Sequence, residues 1–257
     1  MPNIDNSGCV WITGASTGIG RAVALRLARS GRVVVASARS ADALAALTRE
    51  NTAPGRVEAL ALDVTDAAAV AAAVERIEAT IAPIALALLN AGSHRPVYAD
   101  KFDAADFRAL AELNLFGTVN CLAALLPRFI ARGAGQIAIV ASVAGYSGLP
   151  TASAYGMTKA GLINMAEALQ PELAAHGIKL QIVNPGFVRT PLTDRNEFAM
   201  PFLIEPEDAA AAIERGLASG RFEIAFPKRF SLLMKLLRLL PYRLFFAITR
   251  RLLPKEL

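Results

Sequence analysis

The stretch Val10-Trp11-Ile12-Thr13-Gly14-Ala15-Ser16-Thr17-Gly18-Ile19-Gly20 constrains this chain more than any other. A short apolar run enters it. Val23, Leu25, Leu27 and Ala28 leave it in a helical pattern among Arg21, Arg26 and Arg29. The pattern predicts a strand, a glycine-rich turn and a helix. Glycine lacks a Cβ, so the backbone can turn tightly and approach a ligand closely. The first turn of the following helix offers free N–H groups and the positive end of its dipole. Together these predict a pyrophosphate cradle; the alternative is a plain βα turn. The spacing is G-x-x-x-G-x-G, not the G-x-G-x-x-G of the familiar dinucleotide motif.

The rest of the chain fits one α/β domain, a size that 257 residues and 54% hydrophobic content allow. Alanine-rich helical stretches alternate with Val/Ile/Leu-rich strands, which predicts a parallel sheet covered by helices on both faces. The only boundary falls near residue 227, giving 1–227 as the main domain and 228–257 as an extension. Cys9 and Cys121 are the only cysteines, and they read as buried thiols rather than a disulfide. His94 and His176 lack ligand spacing, so no metal site is expected. No basic-then-apolar leader is present, which points to the cytoplasm. The net charge of +5 is concentrated in residues 228–257, where eight cations face Glu256 alone. The body is therefore close to neutral and gives no reason to expect a nucleic-acid partner.

A second strand, over residues 32–37, ends in Ala38-Arg39-Ser40. In dinucleotide folds an acid near this strand end holds the ribose 2′-hydroxyl, and an arginine suits a 2′-phosphate. Arg39 occupies that place, favouring NADP (NADPH) over NAD. A third strand over 57–62 leads to Asp63-Val64. There Asp63 either contacts the adenine or satisfies loop N–H groups. Asp66 is placed to cap the helix over 67–81. A fourth strand over 84–89 runs into Asn90-Ala91-Gly92, at the strand end where open α/β sheets bind ligands. A long helix over 104–131 contains Asn114, an awkward residue for a helix interior. A strand over 136–141 precedes Ser142. A helix from about 153 to 175 follows, then a strand over 179–183 that breaks at Asn184-Pro185-Gly186. Residues 186–205 form an irregular apolar loop with Phe187, Leu192, Phe198, Met200, Pro201 and Phe202. Glu205-Pro206-Glu207-Asp208 opens another helix, and residues 222–226 form the last strand.

Tyr155 and Lys159 stand four apart and share a helix face. A neighbouring ammonium favours the phenolate and is expected to lower the tyrosine pKa. Ser142, at the preceding strand's carboxyl end, is placed to donate to a carbonyl oxygen beside Tyr155.

Here the chain resembles the classical short-chain dehydrogenase/reductase family over about residues 9–226. The resemblance rests on Thr13-Gly14-x-x-x-Gly18-x-Gly20, Asp63-Val64, Asn90-Ala91-Gly92, Asn114, Ser142, Tyr155-x-x-x-Lys159, and Pro185-Gly186 with Thr190. It implies a doubly wound Rossmann-type sheet of seven parallel strands. Tyr155 would be the general acid or base, and Ser142 would polarise the carbonyl. Lys159 would hold the nicotinamide ribose. Asn114 would bend its helix and position a water that relays protons through Lys159. The cofactor would lie against Thr13, Gly14, Ser16, Thr17, Gly18, Ile19, Gly20, Arg39, Asp63, Val64, Asn90, Ala91, Gly92, Pro185, Gly186, Val188 and Thr190. Position 17 is threonine where many NADP-preferring members carry a base, so the cofactor preference rests on Arg39.

The expected activity is hydride transfer between NADPH and a carbonyl or alcohol of a hydrophobic small molecule, by a homodimer or homotetramer. Its rivals are a non-catalytic NADP-binding scaffold and a soluble reductase of small polar carbonyls. In residues 228–257, Ser231, Lys235 and Arg238 fall on one helix face among leucines, and Pro241 interrupts the pattern. Neither half reaches the roughly 20 apolar residues of a membrane span. The pattern suits helices lying in the interface of the inner membrane surface. The alternative is a pair of helices covering the cleft or a dimer interface.

Overall fold

The computed structural model describes residues 8–195 and 200–253; Phe198, Lys255 and Glu256 lie outside them. Strands β1 (Cys9–Thr13), β2 (Val34–Ala38), β3 (Val57–Ala61), β4 (Ile84–Leu89), β5 (Gly135–Val140), β6 (Ile178–Pro185) and β7 (Glu223–Phe226) form one sheet. Their order is β3-β2-β1-β4-β5-β6-β7, and every pairing is parallel. The order reverses between β1 and β4. The crevice at the carboxyl ends of those strands is where such sheets take ligands.

Helices α1 (Gly18–Arg29), α2 (Ala41–Glu50) and α7 (Pro206–Leu217) cover one face, through Val23, Leu44, Leu47 and Ile213 among others. Helices α3 (Ala67–Thr80), α5 (Gly117–Arg132), α6 (Ser153–Ala175) and α8 (Lys228–Arg238) cover the other, through Ile77, Phe129, Leu162, Phe230 and Met234. Burial on both faces explains why β1 and β2 are buried at every position and do not alternate. Trp11 is fully enclosed, and its indole N–H donates to Ser37 Oγ at 2.9 Å. Left unpaired, that buried donor would cost about 1–3 kcal/mol. The helix caps are local: Asp66 accepts from Ala69 N at 2.9 Å and Ser40 from Ala43 N at 3.2 Å.

The structure departs from the sequence reading at three places. The helix over 104–132 is not uniform: α4 (Ala104–Ala111) passes into a π-helical segment, Glu112–Phe116, before α5. Strand β6 continues to Pro185, since Asn184 and Pro185 pair with Ala225 and Phe226 of β7. Among the described residues of the 186–205 segment, Val188 and Ile204 form a parallel bridge and Thr193–Arg195 a 3₁₀ turn. Among the described residues, one helix, Ala104–Arg132, is long and apolar enough to cross a membrane. Its Leu110, Leu122, Leu125 and Phe129 are buried in the fold. Cys9 and Cys121 are free, buried thiols, and burial raises them to about 11 and about 12.

Candidate active site

The turn after β1 has no room for side chains. Gly14 and Gly18 take positive φ, 65° and 54°. A Cβ on Gly14 would lie 2.8 Å from Ala91 Cα, and one on Gly18 would lie 2.9 Å from Thr190 Cγ2. A Cβ on Gly20 would lie 2.4 Å from Gly14 O. Thr17, the N-cap of α1, makes no side-chain cap bond, and no acid sits in the first turn. The first N–H groups of α1 thus keep their capacity for an anion. Ser16 and Ile19 flank the turn, half-buried.

Asn90 braces this turn from β4. Its Nδ2 donates to Thr13 O at 3.1 Å and Gly14 O at 3.0 Å. Thr13 Oγ1 accepts from the N–H groups of Asn90 and Ala91, at 3.0 and 3.1 Å. The amide of Asn90 therefore shapes the cradle. Arg39 is exposed and lines a cleft of about 620 Å³ beside β3, together with Leu62, Asp63, Asp66 and Arg76. Asp63 Oδ1 accepts from Thr65 N at 2.9 Å and Thr65 Oγ1 at 2.8 Å, and those bonds hold its carboxyl below the ordinary range. Asp63 thus braces its own loop at the edge of the cleft. Val64 is buried at Gly117, where a Cβ would meet Val64 Cγ2 at 2.7 Å. The residues present fit a dinucleotide: glycines where a Cβ cannot go, a helix end with no side-chain cap and an exposed guanidinium in the adjoining cleft.

At the ends of β4 and β5 the second half of the crevice assembles. Lys159, 4% exposed, donates from Nζ to Val140 O at 2.8 Å. Its Nζ lies 5.6 Å from the centre of the Tyr155 ring. Burial without a counter-charge pulls Lys159 down to about 8. Tyr155 moves the opposite way from the sequence expectation. Burial raises its pKa, and a hydrogen bond with the Ser142 hydroxyl only partly offsets this. Ser142 Oγ also accepts from Ala144 N at 3.1 Å and lies 3.4 Å from Pro185 O.

Asn114 is fully buried in the π-helical segment. It accepts from Ser93 N at 2.7 Å and donates to Ser93 O at 2.9 Å and Thr158 Oγ1 at 3.1 Å. One amide thus joins the β4 loop to α6 beside Lys159. Gly92 fits between them: a Cβ there would lie 3.1 Å from Asn114 Oδ1 and 3.5 Å from Lys159 Nζ. Thr190 abuts Gly18, Val188 is buried, and Gly186 lies under Phe230.

The sequence reading missed His94, whose ring meets that of Tyr155 edge-on at 4.8 Å. Its only signal was its place just after the Asn90-Ala91-Gly92 strand end. It also missed a network at the ends of β6 and β7. Glu223 Oε1 accepts from Tyr146 OH and from Asn184 Nδ2 at 2.9 Å, and Lys235 of α8 pairs with the same carboxylate.

A phosphate cradle that shares one crevice with a Ser–Tyr–Lys cluster defines an NAD(P)-dependent dehydrogenase or reductase. The chain belongs to the short chain dehydrogenase family, whose model matches residues 8–199. It is 36% identical over 242 residues to an "Uncharacterized oxidoreductase" of Myxococcus xanthus, covering 94% of this chain and 96% of that one. It is 35% identical over 185 residues to the 3-oxoacyl-[acyl-carrier-protein] reductase FabG of Thermotoga maritima, covering 72% and 75% of the two chains. A short-chain dehydrogenase from Sphingobium yanoikuyae, solved in complex with NADPH, superposes with a TM-score of 0.78 at 32% identity, covering 88% of this chain and 92% of that one.

Proposed function

We propose that this enzyme exchanges hydride between NADP(H) and the carbonyl or alcohol carbon of a lipophilic small molecule, with Tyr155 handling the proton. The observation that carries this is the gathering of Ser142, Tyr155 and the buried Lys159 at the carboxyl ends of β4 and β5, where Lys159 Nζ lies 5.6 Å from the Tyr155 ring and burial raises the phenol further above its ordinary range. A protonated phenol is the acid that carbonyl reduction needs, since the oxygen gains a proton as its carbon gains hydride. Ser142 orients the carbonyl oxygen toward that phenol. Lys159 anchors the ribose hydroxyls and, with a water held near Asn114, returns the proton to Tyr155. The cofactor supplies the hydride. Thr13, Gly14, Ser16, Thr17, Gly18, Ile19 and Gly20 seat its pyrophosphate, with Thr190 closing over them. Asp63, Val64, Asn90, Ala91 and Gly92 form the adenosine side and floor. Pro185, Gly186 and Val188 form the nicotinamide side.

Arg39 supports NADP over NAD, because it lines the cleft and the end of β2, Ser37-Ala38-Arg39-Ser40, carries no acid. Phe187, Met200 and Phe202 on the loop after β6 support a lipophilic substrate. Exposed Phe116 at the end of the π-helical segment, Val119 and Ile130 on α5 and Met157 on α6 support a homodimer or homotetramer. The reading puts the enzyme in the cytoplasm, peripheral to the inner membrane surface.

The test is NADPH consumption over matched lipophilic and polar carbonyls. Turnover of lipophilic carbonyls is expected. Turnover of polar carbonyls alone would overturn the substrate class, and wild-type rates in Tyr155→Phe would overturn the mechanism.

A further inference from the structure

The two C-terminal helices turn their apolar side outward. On α8, Phe230, Ser231 and Met234 are buried, and Lys235 is held by Glu223. On α9 (Tyr242–Thr249), Phe245 and Thr249 are buried. Ser231 and Lys235, two of the three residues on the polar face of α8, are therefore spent on the body. The outer surface is left to Leu232, Leu233, Leu236, Leu239, Tyr242 and Phe246, with Leu239 78% and Tyr242 77% exposed. Scattered exposed leucines are ordinary on a soluble protein, but Leu232, Leu233, Leu236 and Leu239 crowd one side of α8, Tyr242 and Phe246 stack on the helix that follows, and such a concentration marks an interaction surface.

Its rim is of one sign. Lys228, Arg229, Arg238, Arg243, Arg250 and Arg251 are all exposed, and no acid occurs between residues 228 and 253. None of these six is ion-paired with a described residue. A second copy of the same face would set arginine against arginine. An anionic bilayer complements both the leucines and the cations. At 11 and 8 residues, α8 and α9 are too short to cross it and suit lying in its surface.

The inner side of α8 reaches the substrate loop. Phe230 stacks on Phe187 at 5.4 Å and meets Phe202 at 6.0 Å. Lys235, through Glu223, reaches Tyr146, four residues beyond Ser142. We propose that the outer face of α8 and α9 is a docking surface for an anionic lipid bilayer. It seats the enzyme with the Phe187–Phe202–Phe230 cluster next to the lipid, so that a lipophilic substrate enters the cleft from the membrane. The entry route rests on the hydride-transfer reading above; the docking does not.

The experiment uses the full chain, because removing α8 would uncover the core around Phe230 and Met234. Co-sedimentation is measured with phosphatidylglycerol/phosphatidylcholine vesicles and with pure phosphatidylcholine vesicles, at low and high salt. One variant carries Leu236→Glu with Leu239→Glu; a second carries Arg243→Glu with Arg250→Glu. All four positions are exposed, so thermal unfolding and NADPH binding should match the wild type. Expected is binding of the wild type to anionic vesicles only, weakened by salt, and a drop of at least about tenfold in each variant. Wild-type protein that stays in the supernatant with both vesicles would overturn the proposal. So would unchanged vesicle binding in both variants. A fall in oligomer size in the leucine variant without loss of vesicle binding would assign the face to a second copy. NADPH turnover of lipophilic carbonyls delivered in neutral detergent without vesicles, followed in parallel, tests the hydride-transfer reading separately: its absence alone would overturn that reading and leave the docking standing.

Discussion

The imidazole of His94 stands edge-on to the phenol ring of Tyr155, with centroids 4.8 Å apart and planes at 73°. Lys159 Nζ lies 5.6 Å from the centre of the same ring. Two groups from different elements thus fix where the phenolic oxygen points, and the geometry is available before any substrate arrives. Pairs of this kind are worth about 0.5–1.5 kcal/mol. His94→Ala is therefore expected to lower kcat/KM by roughly two- to tenfold, with NADPH binding unchanged. His94→Phe keeps the edge contact and should recover most of the loss. Equal losses in the two variants would show that the imidazole nitrogens matter rather than the packing.

Tyr155→Phe removes only the phenolic oxygen, so the ring contacts with His94 and Lys159 remain. The variant should fold, bind NADPH as the wild type does, and lose about 10²–10⁴-fold in kcat. Single-turnover rates on a confirmed substrate measure this. A kcat within a factor of a few of wild type would move the acid to another residue.

Arg39→Ala should weaken NADPH binding by about ten- to a hundredfold, the loss of a charge-assisted phosphate contact. NADH binding should barely move, since NADH has no 2′-phosphate. Titration of both cofactors against both proteins decides it. An unchanged NADPH dissociation constant would take the preference away from this residue.

The order of strands and helices was legible in the sequence because its signals are local: apolar runs, the Asp66 cap, and the glycines before α1. The meeting of Thr13 with Asn90 was legible too, since both follow the carboxyl ends of neighbouring strands. What escaped depends on contacts between distant segments. Asn114 signalled trouble in a helix, but the π-helical segment needs Ser93 and Thr158 to hold its amide. Pro185 read as a strand breaker, yet β7 supplies the pairing that carries β6 through it. Ser231 read as part of a polar face shared with Lys235 and Arg238, and the packing of α8 buries it. The direction of the Tyr155 shift also escaped. A lysine four residues away predicts a lowered pKa, while burial, which no spacing encodes, outweighs it.

Lys159 gives a pH signature of stability. Its pKa is 10.5 unperturbed and about 8 in the fold. Between those values the unfolded chain binds more protons, so the Lys159 contribution to stability rises with pH across that window. Below about 8 the lysine is charged in both states, and the full burial cost of about 3 kcal/mol remains. Above 10.5 it is neutral in both states and the cost is gone. Cys9, Cys121 and Tyr155 have raised values and act in the opposite sense at high pH, so the difference between wild type and Lys159→Met isolates the lysine. The stability of Lys159→Met relative to wild type should be greatest near neutrality and should fall as pH rises through the window. A difference independent of pH, by urea unfolding, would sink the prediction.

Gly186 and Phe230 should behave as one unit. Gly186 lies at the end of β6, and its N–H donates to Phe226 O at 2.7 Å, which fixes its backbone. A Cβ added there would lie 2.7 Å from Phe230 Cδ1 and 3.2 Å from Pro227 Cδ. The missing side chain is thus what lets α8 seat its phenylalanine against Phe187. Gly186→Ala should cost about 1–3 kcal/mol through overpacking, because the backbone cannot retreat. Phe230→Leu alone should also destabilise, through the lost aromatic stack and the space it leaves. In the double variant the smaller leucine makes room for the methyl group, so the combined loss should fall short of the sum by about 1 kcal/mol. Urea unfolding of the four proteins closes the cycle. Simple additivity would mean that Phe230 does not press on Gly186, and that α8 is held to the body by Met234 and the Lys235–Glu223 pair without it.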